Sequence, residues 1–197
     1  FKQAYKGEIV GESTYNTNES DFNAYITSAK SSNAEVVFIP SSIQTAGLFI
    51  KQAREAGLTC PIMAGDTWEN ATIIDNAGAD NCEDVYFSTF FDENASSASE
   101  FVSGFKAFLN SDSANIVANG NTDSVAAVSA LGYDAYMSVI EALKTLTGEV
   151  NSVAIRDALT GISYNGVTGP ISFDDNGDVK KDIAYIKQIV DGNFKFL

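Results

Sequence analysis

The sequence predicts an α/β fold built on a parallel sheet, and three observations carry that prediction. Strand-like and helix-like stretches alternate through the first half of the chain with short links between them, the pattern of strands side by side with helices on their faces. The run "AEVVFIPSS" (Ala34–Ser42) is continuously apolar from Val36 to Pro40, as a strand covered on both sides requires. The 197 residues are 45% hydrophobic, enough to bury a core in one domain or in two small ones.

Taken in order, "GEIVGESTY" (Gly7–Tyr15) reads as the first strand. "SDFNAYITSAKSS" (Ser20–Ser32) reads as a helix opened by Ser20, with Phe22, Ile26 and Ala29 on one face. After the apolar strand, "IQTAGLFIKQAREAGL" (Ile43–Leu58) is a helix stopped by Gly57, which supplies the left-handed cap. "PIMAG" (Pro61–Gly65) is a short strand, "NATIIDNAG" (Asn70–Gly78) a short helix, and "DVYFSTFF" (Asp84–Phe91) another buried strand. In such sheets ligands gather at the carboxyl ends of the strands. Asp66, Thr67 and Trp68 stand at one such end, Ser41 and Ser42 at the neighbouring one.

Past Phe91 the alternation stops. "SASEFVSGFKAFLN" (Ser97–Asn110) and "DSVAAVSALGYDAYMSVIEALKTL" (Asp123–Leu146) are helices with no strand between them, followed by "NSVAIRDALTG" (Asn151–Gly161), capped by Asn151 or Ser152. The long helix carries Val125, Val128, Ala130, Leu131, Tyr133, Ala135, Val139 and Leu143, so it is apolar around much of its circumference and requires cover on several sides. The tail from Gly166 reads as two strands around the turn "DDNGD" (Asp174–Asp178) and a third after "DGN".

Composition narrows the chemistry. A net charge of -14 and a pI near 4.2 exclude nucleic acid and anionic membrane surfaces as partners, since both need clustered Lys and Arg. The absence of histidine removes the commonest general base and metal ligand, and two cysteines are too few for a zinc site without it. No glycine-rich phosphate cradle is present. "DDNGD" looks like a calcium loop but lacks the closing glutamate, and Asp-Asn-Gly is a hairpin signal by itself. No cofactor, no metal and no catalytic group are therefore expected. The opening "FKQAYKGEIVGESTY" reads as the last turns of a helix running into a strand, so the chain is expected to be a piece of a longer protein.

In this order the segments "SDFNAYIT", "AEVVFIP", "KQAREAGL", "PIMAGDTW", "EDVYFSTFF", "ALGYDAYMSVIEAL", "AIRDALTG" and "GVTGPISFDDNGDVKK" resemble the type I periplasmic binding proteins, and among them the substrate-binding subunits of branched-chain amino acid ABC transporters. The resemblance spans nearly the whole chain; no single motif is specific, but the ordered set is. It implies two lobes closing on a ligand, with residues 1–89 and 167–197 in lobe two and 90–166 as helices returning to a lobe one whose first part is missing here. It also implies a non-enzymatic, exported protein, periplasmic or lipid-anchored on the outer face of the cell membrane, that binds an amino acid or similar small polar molecule and passes it to an ABC permease. A ligand-sensing domain of a receptor or regulator on the same fold is the alternative, and an α/β enzyme working without histidine is a third reading.

Under the resemblance, Asp66 matches the acid that pairs with the ligand's α-ammonium, because a buried cation needs a paired charge. The plain reading makes it a turn or helix cap. Trp68 either lines the ligand pocket or packs in the core. Ser41 and Ser42 stand where relatives often carry aromatic or small polar residues facing the cleft, and serines after a strand also serve as N-caps. Tyr15, Phe90 and Phe91 are weaker candidates, and Glu69 reads as first-turn charge favouring the following helix. Cys60 and Cys82 precede two strands that, if neighbours, bring them to one sheet edge at disulfide distance; two buried free thiols are the other reading. The helical region 97–161, uncovered within this chain, is expected to pair with a second copy in a homodimer.

Overall fold

The computed structural model describes residues 1–181 and 183–197 and divides into two compact units, Phe1–Ser88 with Ile186–Leu197, and Thr89–Tyr185.

The first unit is a five-stranded sheet with helices. Helix α1 (Asn23–Ser31) leads into β1 (Val37–Phe38), α2 (Ile43–Glu55), β2 (Ile62–Ala64), α3 (Thr72–Ala77) and β3 (Val85–Thr89). The strands lie in the order β1-β2-β3-β6-β7, where β6 (Tyr185–Val190) and β7 (Asn193–Phe196) form an antiparallel hairpin. β1 pairs parallel with β2 at Val37↔Ile62, and β2 parallel with β3 at Ile62↔Val85, as the alternation of elements predicts. Ile26, Phe49, Ile50, Ile62, Trp68, Val85, Phe87 and Ile189 meet in one apolar core. α2 ends where its glycine dictates: Gly57 takes φ 75°, and the Gly57 and Leu58 amides donate back to Arg54 and Ala53. Gly47 lets α2 approach α3, since a Cβ there would lie 2.7 Å from Asn76 Cβ.

Two expectations in this unit are overturned. Ser20 is not the N-cap of α1, which begins at Asn23; Gln52 of α2 binds the approach instead, accepting from the Phe22 amide and donating to the Ser20 carbonyl. Gly7–Tyr15 forms no strand. β1 offers a ladder only two residues long, and the adjacent Ile9 and Val10, which would point to opposite faces of any strand, are both exposed. The segment, Tyr15 included, lines a cavity of about 400 Å³ together with Phe38 and Phe49.

The second unit is mainly helical: α4 (Ser99–Leu109), α5 (Ser113–Ala118), α6 (Ala127–Thr145) and α7 (Ser152–Leu159), with the hairpin β4 (Ser163–Gly166) and β5 (Gly169–Ser172). Asn151 caps α7 by accepting from the Ala154 amide. A small core of Phe91, Ala98, Val125, Ala127 and Ala130 packs with Phe101 and Phe105. α6 buries only the stripe Ala127, Ala130, Asp134, Ser138 and Ala142, leaving Val128 73% and Tyr136 65% exposed. The apolar circumference read from the sequence is thus largely uncovered among the described residues.

The second unit runs on from the helices through the β4–β5 hairpin. Asp134 explains this. Its buried carboxylate accepts from the Val167 and Thr168 amides at 2.8 Å each and from Thr168 Oγ1 at 2.5 Å, gripping the β4–β5 turn. Lys181 donates in turn to the Thr168 carbonyl and hydroxyl. Burial holds the Lys181 ammonium below its ordinary pKa, while Asp134 pulls the other way. The "DDNGD" stretch is a turn: Asp174 accepts from the Asn176 and Asp178 amides, and these bonds hold its carboxyl below the usual carboxylate range. Among the described residues no cluster of acids or cysteines is arranged to hold a metal.

Candidate functional site at the strand ends

Parallel pairing of β1 and β2 sets their carboxyl ends side by side, so the residues that follow each strand share one sheet edge. After β1 the chain passes Ser41 and Ser42 into α2. After β2, Gly65 opens a single 3-10 turn, Asp66–Trp68, before α3. The two links are bonded through one atom. The Ser41 carbonyl accepts from Thr67 Oγ1 and from Trp68 Nε1, each at 3.1 Å, using both its lone pairs. Asp66, Thr67, Trp68 and Ser41 are therefore brought together as the sequence suggests.

Their exposures separate their roles. Asp66 and Thr67 are exposed at the apex of the turn, and the Asp66 carboxylate has no hydrogen-bond partner among the described residues. It does not cap α3: the Thr72 amide near the start of that helix donates to Asn70 Oδ1. Trp68 is fully buried in the core with its one donor satisfied, so its ring does not line an open pocket; of its two readings, core packing holds. Ser41 is buried and serves through its carbonyl, whereas Ser42 is exposed and precedes α2 with its hydroxyl 3.3 Å from Thr45 Oγ1. Ser42 is the N-cap residue by position, but its side chain does not bond the helix backbone. Tyr15 stands with a different set, edge-on to Phe22 and Tyr25. Phe91 is core, packed edge-on to Phe101.

Glu69 departs from its sequence reading. Its side chain is only 6% exposed and pairs with Lys187 of β6, itself 6% exposed and lying 4.2 Å from the centre of the Phe196 ring. A signal for this was present: Lys187 shares the parity of Ile189, the inward face of its strand, and a lysine on a buried face needs an acid.

The cysteines are free thiols, not a bridge. Continued backward from Ile62↔Val85, the register sets Cys60 opposite Glu83, one residue out of step with Cys82. The Arg54 guanidinium ties those two positions directly, donating to the Cys60 and Glu83 carbonyls. Burial pushes the Cys82 thiol up to about 11 and raises Cys60 as well, with Arg54 opposing both shifts.

Residues 1–193 match the family model described as periplasmic binding protein. The chain is 25% identical over 170 residues to the leucine-, isoleucine-, valine-, threonine- and alanine-binding protein of Pseudomonas aeruginosa, covering 84% of this chain and 41% of that protein. Its fold superposes on the branched-chain amino acid transporter substrate-binding protein of Streptococcus pneumoniae, solved with isoleucine, with a TM-score of 0.80, 28% identity, and coverage of 98% of this chain and 52% of the other. A leucine-binding protein from Thermotoga maritima gives a TM-score of 0.77 at 26% identity, over 93% of this chain and 49% of that one. The chain thus spans about half the length of the relatives it matches.

Proposed function

The chain belongs to the periplasmic binding protein family, and from that premise we propose that it is part of a solute-binding protein that delivers an amino acid to an ABC importer. The observation that carries this reading is the Asp66–Trp68 turn: a carboxylate with no partner among the described residues, beside a hydroxyl, on a turn fixed to the neighbouring strand end by the Ser41 carbonyl. Asp66 receives the α-ammonium of the ligand. A charge-assisted hydrogen bond of that kind contributes about 1.5–3 kcal/mol once water is excluded. Thr67 stands beside it as a neutral contact, and Ser42 offers a second hydroxyl from the adjacent strand end. Trp68 holds the turn from beneath instead of touching the ligand. Names of the relatives support aliphatic amino acids as the ligand class.

In this reading two lobes close on the ligand, with the Asp66 strand ends forming one wall. The closed form is what the permease engages, and no bond of the ligand is made or broken. Such a protein works outside the cytoplasm, in the periplasm or tethered to the outer face of the membrane. The exposed apolar side chains of α6 need cover; in the isolated 197-residue chain a second copy supplies it through residues 97–161. Light scattering of the isolated chain checks this, a dimer being expected and a well-behaved monomer counting against it.

A thermal-shift screen of the full-length protein against L-amino acids tests the main reading. A ligand that binds only the native state raises the melting temperature by mass action. Stabilisation by L-isoleucine, L-leucine or a close relative is expected; no shift with any amino acid would overturn it.

A further inference from the structure

Glu69 and Lys187 make none of the ligand contacts proposed above, yet they form the most deeply buried ion pair among the described residues. Lys187 reaches Glu69 from the inward face of β6, with the Phe196 ring against its ammonium. A glutamate serving only the dipole of the following helix would remain in water. Withdrawing both charges from water is costly, and a surface turn with no task has no use for it.

The pair's position supplies the task. Glu69 directly follows Trp68, and its amide closes the 3-10 turn onto the Asp66 carbonyl. Among the described residues, the side-chain hydrogen bonds of Thr67 and Trp68 run to a single carbonyl, that of Ser41. Among the described residues the apex therefore has polar anchors on opposite flanks: the β1–α2 link through Ser41, and β6 through Lys187. With Trp68 packed in the core beneath, these two anchors grip the polar apex from either side.

We propose that Glu69 and Lys187 are the positioning pair of the ligand site, fixing the Asp66–Trp68 turn so that its carboxylate is held in place before the ligand arrives. The proposal rests on the amino acid reading of that turn. Neither residue touches the ligand; each acts through the turn.

The test uses the full-length protein, with any tryptophan outside these 197 residues replaced by phenylalanine so that Trp68 alone is observed. Glu69→Gln, Lys187→Met, the conservative Lys187→Arg and the charge swap Glu69→Lys/Lys187→Glu are compared with wild type. Trp68 emission and its quenching by acrylamide report the turn without ligand; calorimetric titration with L-isoleucine and L-leucine reports the site. Glu69→Gln and Lys187→Met are expected to shift Trp68 emission to the red, to raise quenching, and to weaken binding about tenfold or more. Lys187→Arg should match wild type, and the swap should recover both readouts at least in part. Unchanged Trp68 emission and quenching in both single variants would overturn the proposal. If the single variants do not fold, the swap decides: wild-type emission supports the pair, and failure alongside them contradicts it. Should wild type bind neither amino acid, the ligand reading falls, and Trp68 emission still shows whether the pair holds the turn.

Discussion

Replacing Asp134 by alanine should destabilise the helical unit severely, and the structure gives the size of the effect. Asp134 is 3% exposed, and its carboxylate accepts from two backbone amides and one hydroxyl of the β4–β5 turn. Alanine leaves the Val167 and Thr168 amides without that acceptor, each at about 1–3 kcal/mol when buried. It also removes the acid that offsets the burial of the Lys181 ammonium. Water entering the space returns part of the loss, so about 3–5 kcal/mol is expected, a large share of the 5–15 kcal/mol typical of a domain. With a urea slope of about 2 kcal/mol per molar, the midpoint falls by roughly 2 M. Helix loss followed by circular dichroism is the appropriate assay, since Trp68 fluorescence reports the other unit. Asp134→Asn should lose less, keeping one acceptor while presenting a donor to the facing N–H groups. A midpoint moved by under about 0.5 M in Asp134→Ala would refute the argument that this carboxylate holds the hairpin.

Gly47→Ala should cost about 1–3 kcal/mol, because its Cβ meets both Asn76 Cβ and the Ile73 carbonyl, whereas Gly104→Ala, with open space around it on α4, should gain about 0.5–1 kcal/mol; thermal melts of the two variants should move in opposite directions. Mass spectrometry of unreduced protein alkylated in urea should find two labels, on Cys60 and Cys82, and none would restore the bridge. In the native protein at pH 8, Cys82 should alkylate far more slowly than a free thiol, because its pKa near 11 leaves almost no thiolate; labelling at the rate of a small thiol would contradict its burial.

What the sequence disclosed was whatever depended on short-range rules. The Gly57 cap, the Asn151 cap and the succession of β2, α3 and β3 each follow from a few neighbouring residues. The same rules placed Asp66 and Ser41 at adjacent strand ends, because parallel strands fix where their carboxyl ends fall. They failed where a distant residue decides. Gly7–Tyr15 has the composition of a strand but joins no ladder, and Ile9 and Val10 stay exposed. Ser20 has the chemistry of a cap, but Gln52, thirty-two positions away, takes up its carbonyl. The Glu69–Lys187 pair joins residues 118 apart, and only the parity of Lys187 hinted at it. The grip of α6 on the β4–β5 turn was hidden for the same reason: Asp134 reads as one polar residue on an apolar helix until the hairpin it binds is in view. Trp68 was ambiguous because aromatic rings serve pockets and cores alike.

The central claim is that Asp66 receives the ammonium of an amino acid, and titration calorimetry of Asp66→Asn against wild-type full-length protein tests it most directly. Asp66 is exposed and its carboxylate bonds nothing else among the described residues, so the substitution leaves the turn and the core intact. With L-isoleucine or L-leucine as titrant, Asp66→Asn should lose at least about 2 kcal/mol, roughly 30-fold in affinity, with an unchanged melting temperature in the absence of ligand. Equal affinity in the two proteins would contradict the claim and reduce Asp66 to a residue of the turn.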